Sequence, residues 1–380
     1  MSDPARARRI DAAIEHLTGW ASSDRNRARG RVTPGASFQL EEPIAWIRIF
    51  GFDVNRYFSD PGYYFECNLR QKQWRWENFP DEETPLALDV PAWLGHYPEY
   101  TFVGLSVSFT PGGVPLLQED HPLRRDPDLR HLGPVRFQSS GWMPRVLRWY
   151  DDLRRIAAGR LPVTFNMVWT RGCLDLAIQL RGYENFVADT VERPAFVHDL
   201  LKFLTEQRCR WYEAYNRYFG LQRVPTGFAD DWLNAPFITP QMFADFVLPR
   251  YLEIERFHGG VTGIHSCGNQ VPFQRYLLQI RSLTSIEVSP WTDLSASLDN
   301  IPPAKHLAIS LHPNDVLCAT PEAMERRLAH IVDSCRGRRY GIGTSGLTPI
   351  APDIGEFVGK IRTWNEATRK VMMSRGLWRE

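Results

Sequence analysis

From about residue 160 onward, short apolar runs of strand character alternate with longer stretches whose apolar side chains recur every three or four positions. The run 161–168 reads as a strand. A long helix follows over 194–220, with Pro194 at a first helical position and Gly220 as its stop. Residues 224–229 form the next strand and end at Asp230 and Asp231. Thr239-Pro240 opens a helix, Thr as cap and Pro in the first turn, which runs toward Gly259-Gly260 and is expected to kink at Pro249. A strand over 260–264 delivers His265, and a helix covers 273–280. Strands over 283–288 and 307–311 carry Glu287 and deliver His312. Thr320-Pro321-Glu322 starts a helix that ends by Gly337. The strand 339–342 then leads into Gly343-Thr344-Ser345-Gly346, and a last helix runs over 353–373.

Strand, helix, strand, helix at this spacing predicts an α/β fold, with a parallel sheet and helices outside it. An open doubly wound sheet and a closed (β/α)8 TIM barrel share the pattern. The one Gly-x-Gly-x-x-Gly, Gly341 to Gly346, begins inside the strand 339–342 and opens no helix, so it lacks the setting of a dinucleotide site. Polar residues at the carboxyl end of strand after strand favour the barrel, whose active sites are built there. The first part of the chain is less regular. It predicts helices over 5–20 and 59–76, a polar Arg- and Gly-rich loop or lid over 23–35, and Trp74, Trp76 and Phe79 packed against the barrel. The expected organisation is an N-terminal helical extension and lid over 1–90 and the barrel over 91–380.

Composition narrows the function class. With 45 basic and 44 acidic side chains in 380 residues, bulk electrostatics offers no hold on nucleic acid or an anionic membrane. No stretch approaches the roughly 18 apolar residues of a membrane span, and no apolar run follows Arg6, Arg8 and Arg9 as a secretory signal requires. Six scattered cysteines suit reduced thiols better than a disulfide framework, so a soluble cytoplasmic enzyme with a small-molecule substrate is expected. Thirteen Trp, thirteen Tyr and twenty-one Phe exceed ordinary usage. Most serve packing, which leaves a few to line a pocket for a flat or methylated ligand.

The candidate chemistry sits at the strand ends. His265 and Cys267, two residues apart at an extended chain end, put an imidazole and a thiol on one side, near enough to share an ion. Zinc takes both ligand types and needs a third protein ligand with one position left open to do catalysis. His312, Glu287, Asp230 and Cys318 compete for that third place. His312 is preferred as a ring nitrogen at a strand terminus, while Cys318 in its apolar stretch is expected to be a buried, inert thiol. Asp230 and Asp231 suit metal binding, orientation of a histidine or a base role, and an inward Glu287 must find a partner. Arg171, after Trp169-Thr170, is placed to meet a substrate carboxylate or phosphate. Trp169, Trp232 and Ser345 complete the expected substrate contacts.

With these residues in view, the chain resembles the uroporphyrinogen decarboxylase superfamily over roughly residues 80–375. The motifs that carry the likeness are Leu180-Arg181-Gly182-Tyr183-Glu184, Glu192-Arg193-Pro194, Ala229-Asp230-Asp231-Trp232, His265-Ser266-Cys267-Gly268-Asn269 and Thr320-Pro321-Glu322. The resemblance implies a (β/α)8 barrel. Its methyltransferase branch holds zinc on a His-x-Cys pair and a distant Cys in the last strand's turn, and the zinc activates a thiol that attacks a methyl group. His265 and Cys267 match the first two positions, but the third falls on Ser345. The decarboxylase branch is metal-free and uses an N-terminal arginine-rich segment, of which Arg27-Ala28-Arg29-Gly30-Arg31 with Pro34 is a partial match and Val32 a departure. A zinc-dependent methyl or small-alkyl transferase is therefore expected, with a decarboxylase or lyase as the alternative. Any corrinoid would arrive on a separate protein or as a free cofactor.

Overall fold

Capping side chains start the helices where the sequence positions them. In the computed structural model, which describes residues 4–30, 36–109 and 114–378, Thr239 accepts the Met242 N–H at 3.1 Å and Thr320 accepts the Ala323 N–H at 3.3 Å. Each Thr precedes a proline whose missing N–H costs nothing in a first turn. Asp60 caps Pro61–Asn78 in the same way, and Asp353 caps Ile354–Ser374. The long helix Pro194–Phe219 ends on Gly220 in the left-handed region (φ 65°). Before Pro249 the chain widens into a π-helical turn, Phe243–Val247. Proline lacks the N–H for an ordinary helical bond and its ring crowds the preceding turn, so the expected kink takes this form. The expected helix over 273–280 is instead a 3-10 turn, Val271–Phe273, followed by the short helix Gln274–Leu277. The helix expected from residue 5 spans Pro4–Ala21.

Among the described residues the strands are β1 (Val90–Ala92), β2 (Val107–Phe109), β3 (Pro115–Leu117), β4 (Val163–Phe165), β5 (Thr226–Ala229), β6 (Val261–His265), β7 (Ser285–Val288), β8 (His306–Leu311) and β9 (Tyr340–Thr344). Only β2 and β3 pair antiparallel, as a side hairpin. The others run parallel. β7, β8 and β9 form one sheet, β5 pairs with β6, and β1 pairs with β4. Single bonds join these pieces. Thr284 donates to the Thr262 carbonyl at 3.3 Å between β7 and β6, and Arg171 bridges to Ala229 beside β5. Ala36 bridges to Ile342, so the chain before residue 91 lends a segment to the sheet next to β9 as well as its helices. No ladder between 36–40 and β1 occurs among the described residues, and the hydrogen bonds trace an arc of parallel strands.

The helices cover the outer face. Leu307, Ile309 and Leu311 of β8 point into the core they share with helices such as Pro321–Ser334 and Ile354–Ser374, whose Leu328, Ile331, Ile361 and Trp364 are buried. Most of the aromatic surplus is spent here. Trp76 stacks on Trp20, and Trp74 meets Trp46 and Phe79 edge-on. Among the described residues, no helix is long and apolar enough to cross a membrane.

Candidate active site

Alternation along the strands decides which side chains face the inside of the arc. On β8, Leu307 and Leu311 are buried outward, while His306, Ala308 and Ser310 line a cavity of about 960 Å³ that the buried Ile309 also borders. Gly341 and Gly343 of β9 line it likewise, and β7 buries Ile286 and Val288 but turns Glu287 inward. Parallel barrels usually fill this space with layers of Val, Ile and Leu. Here Gly, Ala and Ser leave it open.

β6 carries the central pair. Ser266 is fully buried and its hydroxyl donates to the Leu233 carbonyl at 2.9 Å, so His265 and Cys267 on either side of it face the cavity. Gly268 follows for a steric reason: a Cβ there would lie 2.2 Å from Asn234 Cγ. Asn234 Nδ2 in turn donates to the Asp231 carbonyl at 2.6 Å and holds the turn that presents Asp231.

Asp231 Oδ1 accepts from the Cys267 thiol at 3.4 Å and stands 3.6 Å from His265 Nε2, while Cys267 Sγ is 3.3 Å from that same Nε2. One donor atom from each of the three lies within 4.8 Å of the others, a spacing that can hold a metal ion. His265 Nδ1 donates to Glu287 Oε2 at 2.7 Å, and the Ser266 N–H reaches the same oxygen at 3.3 Å. The contacts with Cys267 and then Glu287 push the imidazole up to about 10, against burial. With Nδ1–H committed to Glu287, Nε2 is the nitrogen turned to Cys267 and Asp231. A metal-binding histidine needs its other ring nitrogen held in this way, so that the free one keeps its direction.

Arg171 backs the third member. Its Nη1 donates to Asp231 Oδ2 at 2.5 Å and to Asp175 Oδ2 at 3.0 Å, and its Nε lies 3.6 Å from Glu99 Oε1. Glu99 also accepts the Arg171 N–H (2.7 Å) and the Thr170 hydroxyl (2.8 Å), and the Tyr100 hydroxyl donates to Asp175 at 2.8 Å. Burial pushes Glu99 up to about 7 and raises Asp175 as well, in both cases against the pull of Arg171. Burial alone would lower the guanidinium, but Tyr100, Asp175, Asp231 and Glu99 more than restore it.

Residues 99–351 match the family model described as Uroporphyrinogen decarboxylase (URO-D), over more than half of the chain. The chain belongs to the uroporphyrinogen decarboxylase family. A solved structure, a methyltransferase from Methanosarcina mazei, has a similar fold, with a TM-score of 0.63 at 14% identity over 94% of this chain and 98% of that one. No curated protein sequence matches it. The family and the structural likeness together imply a TIM barrel, and the arc of parallel strands agrees with one.

Several residues of this uroporphyrinogen decarboxylase family member stand elsewhere than the sequence suggested. His312 stays out of the three-donor group. β8 stops at Leu311, and the His312 ring is spent on the turn, its Nδ1 accepting the Asn314 N–H at 3.1 Å and its edge against Trp291. Cys318 is exposed, not buried. Asp230 is fully buried, and its Oδ2 accepts the Leu174 N–H (3.1 Å) and the Tyr251 hydroxyl (2.7 Å), so it ties β5 to two helices and does not reach the cavity. Trp169 is fully buried against Phe102 and Trp211, and Trp232 stacks on Tyr183, so neither lines the cavity. Arg171 does line it but is committed to three carboxylates, not free for a substrate anion. Ser345 lines it too, 3.2 Å from the Ser310 hydroxyl.

In the N-terminal basic segment, Arg29 is buried against Trp76 and donates to the Phe79 and Thr84 carbonyls, and Arg27 pairs with Asp24. Asp24–Ala28 is a short helix; Arg31, Val32 and Pro34 lie outside the described residues. Sequence reasoning missed Glu99, Asp175 and Glu41. Asp175 stands only four residues after Arg171, in the first turn of Cys173–Arg181, which brings it within reach of the arginine just before that helix. Glu41, on the cavity wall opposite in sequence to every motif, has no such signal.

Proposed function

We propose that the chain is a zinc-dependent methyl or small-alkyl transferase acting on a small molecule, with the metal on Asp231, His265 and Cys267. The observation that carries this reading is the group of one carboxylate, one imidazole and one thiol within 4.8 Å at the mouth of a cavity of about 960 Å³. The donor set fits zinc: nitrogen, sulfur and oxygen are all ligands it accepts, and three protein donors leave a fourth position for substrate. When bound there, zinc would act as a Lewis acid that lowers the pKa of a substrate thiol and keeps it as a thiolate. Asp231 takes the role that a cysteine in the last strand's turn has in the related methyltransferases. Ser345 stands at that position.

The chain's own residues do the rest. Glu287 holds the His265 ring by Nδ1 and so directs Nε2 at the metal position. Arg171 holds Asp231 by Oδ2, which leaves Oδ1 toward Cys267 and His265. Glu99 and Asp175 keep that arginine in place and share its charge. The small side chains of β8 and β9 give a substrate room beneath the donors. A corrinoid, if one takes part, would be brought by a partner protein or enter free. The closed (β/α)8 circuit is likewise part of the proposal, as is a cytoplasmic setting. The decarboxylase alternative has less support, because Arg171 is engaged by three carboxylates and Arg29 is packed against Trp76.

The test is elemental analysis of the purified protein, followed by methyl transfer to a thiol acceptor from methylcobalamin. Near-stoichiometric zinc and zinc-dependent thioether formation are expected. A protein that takes up no zinc when it is supplied overturns the reading. For the orienting role of Glu287, Glu287→Gln is expected to weaken zinc by about 10- to 100-fold in competition with a chromophoric chelator. An unchanged affinity would remove Glu287 from the site.

A further inference from the structure

The lining of the cavity constrains the charge of what it holds. Among its described lining residues there is no Trp, Tyr or Phe, so the surplus of aromatics supplies neither a stacking platform for a flat ring nor an aromatic cage. There is no lysine, and the one arginine, Arg171, is occupied by Glu99, Asp175 and Asp231. Four carboxylates line the same space: Glu41, Glu83, Asp231 and Glu287. Asp231 has Arg171, Glu287 has His265, and Glu83 has Arg29 and Arg369 in its field. Glu41 is different. No hydrogen bond or ion pair reaches its carboxylate among the described residues, although the chain makes specific room for it. A Cβ on Gly346 would lie 2.0 Å from Glu41 Oε2 and 3.0 Å from its Cδ, so the glycine after Ser345 lets the side chain lie against the last strand's turn. The Glu41 backbone is fixed there as well, its N–H donating to the Leu347 carbonyl at 3.0 Å. A divalent ion on the three donors would balance Asp231 and a Cys267 thiolate. It would leave Glu41 uncompensated.

We propose that this cavity selects a small cation, a substrate bearing an amine or ammonium group, with Glu41 as its counter-charge. The inference rests on the same cavity as the methyl-transfer reading and names the class of ligand for it. Anionic ligands such as sulfonates and polycarboxylates meet an unpaired carboxylate and find no free lysine or arginine among the described lining residues. A cation gains a charge-assisted contact that costs no rearrangement of the donor group.

Propylammonium and propanesulfonate, similar in size and opposite in charge, test this by calorimetric titration of the purified full-length protein. Saturable binding of propylammonium is expected, with propanesulfonate at least about tenfold weaker. Glu41→Gln is expected to weaken propylammonium by about tenfold while zinc content stays at the parental level, and Glu41→Asp to retain part of the affinity. Gly346→Ala, which displaces the Glu41 side chain without changing the charge, is expected to weaken it too and serves if Glu41→Gln does not fold. The proposal is overturned if propanesulfonate binds as tightly, if neither probe binds, or if propylammonium affinity is indifferent to Glu41. Zinc content and thiol methylation, measured on the same preparations, separate the two readings. Glu41-dependent cation binding in a protein that takes no zinc sinks methyl transfer alone. Zinc and methylation with a preference for the sulfonate sink the cation alone.

Discussion

Cys267→Ala and Asp231→Ala are each expected to purify with less than about a tenth of the parent's zinc, and His312→Ala with all of it. Thiol methylation should fall at least about 100-fold in the first two and stay within about twofold in the third. The physical reason lies in which atoms converge. Asp231 Oδ1, His265 Nε2 and Cys267 Sγ share a space a few ångströms across, and each of the three is braced from behind: Asp231 by Arg171, His265 by Glu287 and Cys267 by the buried Ser266 beside it. His312 has its Nδ1 on the Asn314 N–H and its ring against Trp291. Removing one of three protein donors leaves two, too few for a tight site on a metal that usually has three or four. Elemental analysis of the four proteins side by side reads the result. Zinc lost in His312→Ala and kept in Asp231→Ala would reverse the assignment of the third ligand.

The second large effect concerns Asp230, the neighbour that does not reach the cavity. Asp230→Ala is expected to destabilise the fold by roughly 3 kcal/mol, and Asp230→Asn by less than about 1 kcal/mol. The alanine leaves the Leu174 N–H and the Tyr251 hydroxyl without their shared acceptor in a fully buried place. The asparagine keeps one acceptor oxygen for both, and its amide takes the position of Oδ1, which has no partner. Burial, with Asp175 adding to it, pushes the Asp230 carboxyl well above its ordinary 3.8, so the native state favours the neutral form that asparagine imitates. The sign of the pH effect follows. Because the native pKa is raised, the stabilising contribution is full below 3.8 and is lost as pH rises through the native value. The parent should lose stability relative to Asp230→Asn as pH climbs through that range. Urea unfolding of the three proteins at several pH values measures both effects. An asparagine variant as unstable as the alanine one would mean that the carboxylate is ionised in the native state and needs its charge. Gly172 belongs to the same arrangement, since a Cβ there would lie 2.1 Å from Asp230 Oδ2.

The sequence carried the elements that depend on neighbours along the chain. Thr239-Pro240 and Thr320-Pro321 announce helix starts because a hydroxyl cap and a proline act within one turn, and both caps are present. The His-x-Cys pair was legible for the same reason: two residues apart on an extended end, His265 and Cys267 must face the same way. An inward carboxylate on that strand has to find a partner, and Glu287 finds it in His265.

Propensity, capping and periodicity act within a few residues, and they suffice for the alternation that makes a parallel α/β fold and for the local geometry of the donor pair. Which of Asp230 and Asp231 faces the cavity, whether His312 arrives, and what holds Arg171 were decided only by the tertiary structure. Adjacent residues at a strand end point in opposite directions, and the winning direction depends on Tyr251, Leu174 and Arg171, which come from other helices and strands. Glu41 is the extreme case. Its place in the site depends on a glycine roughly 300 residues away whose missing side chain leaves it room, a relation between distant backbones that no local pattern encodes.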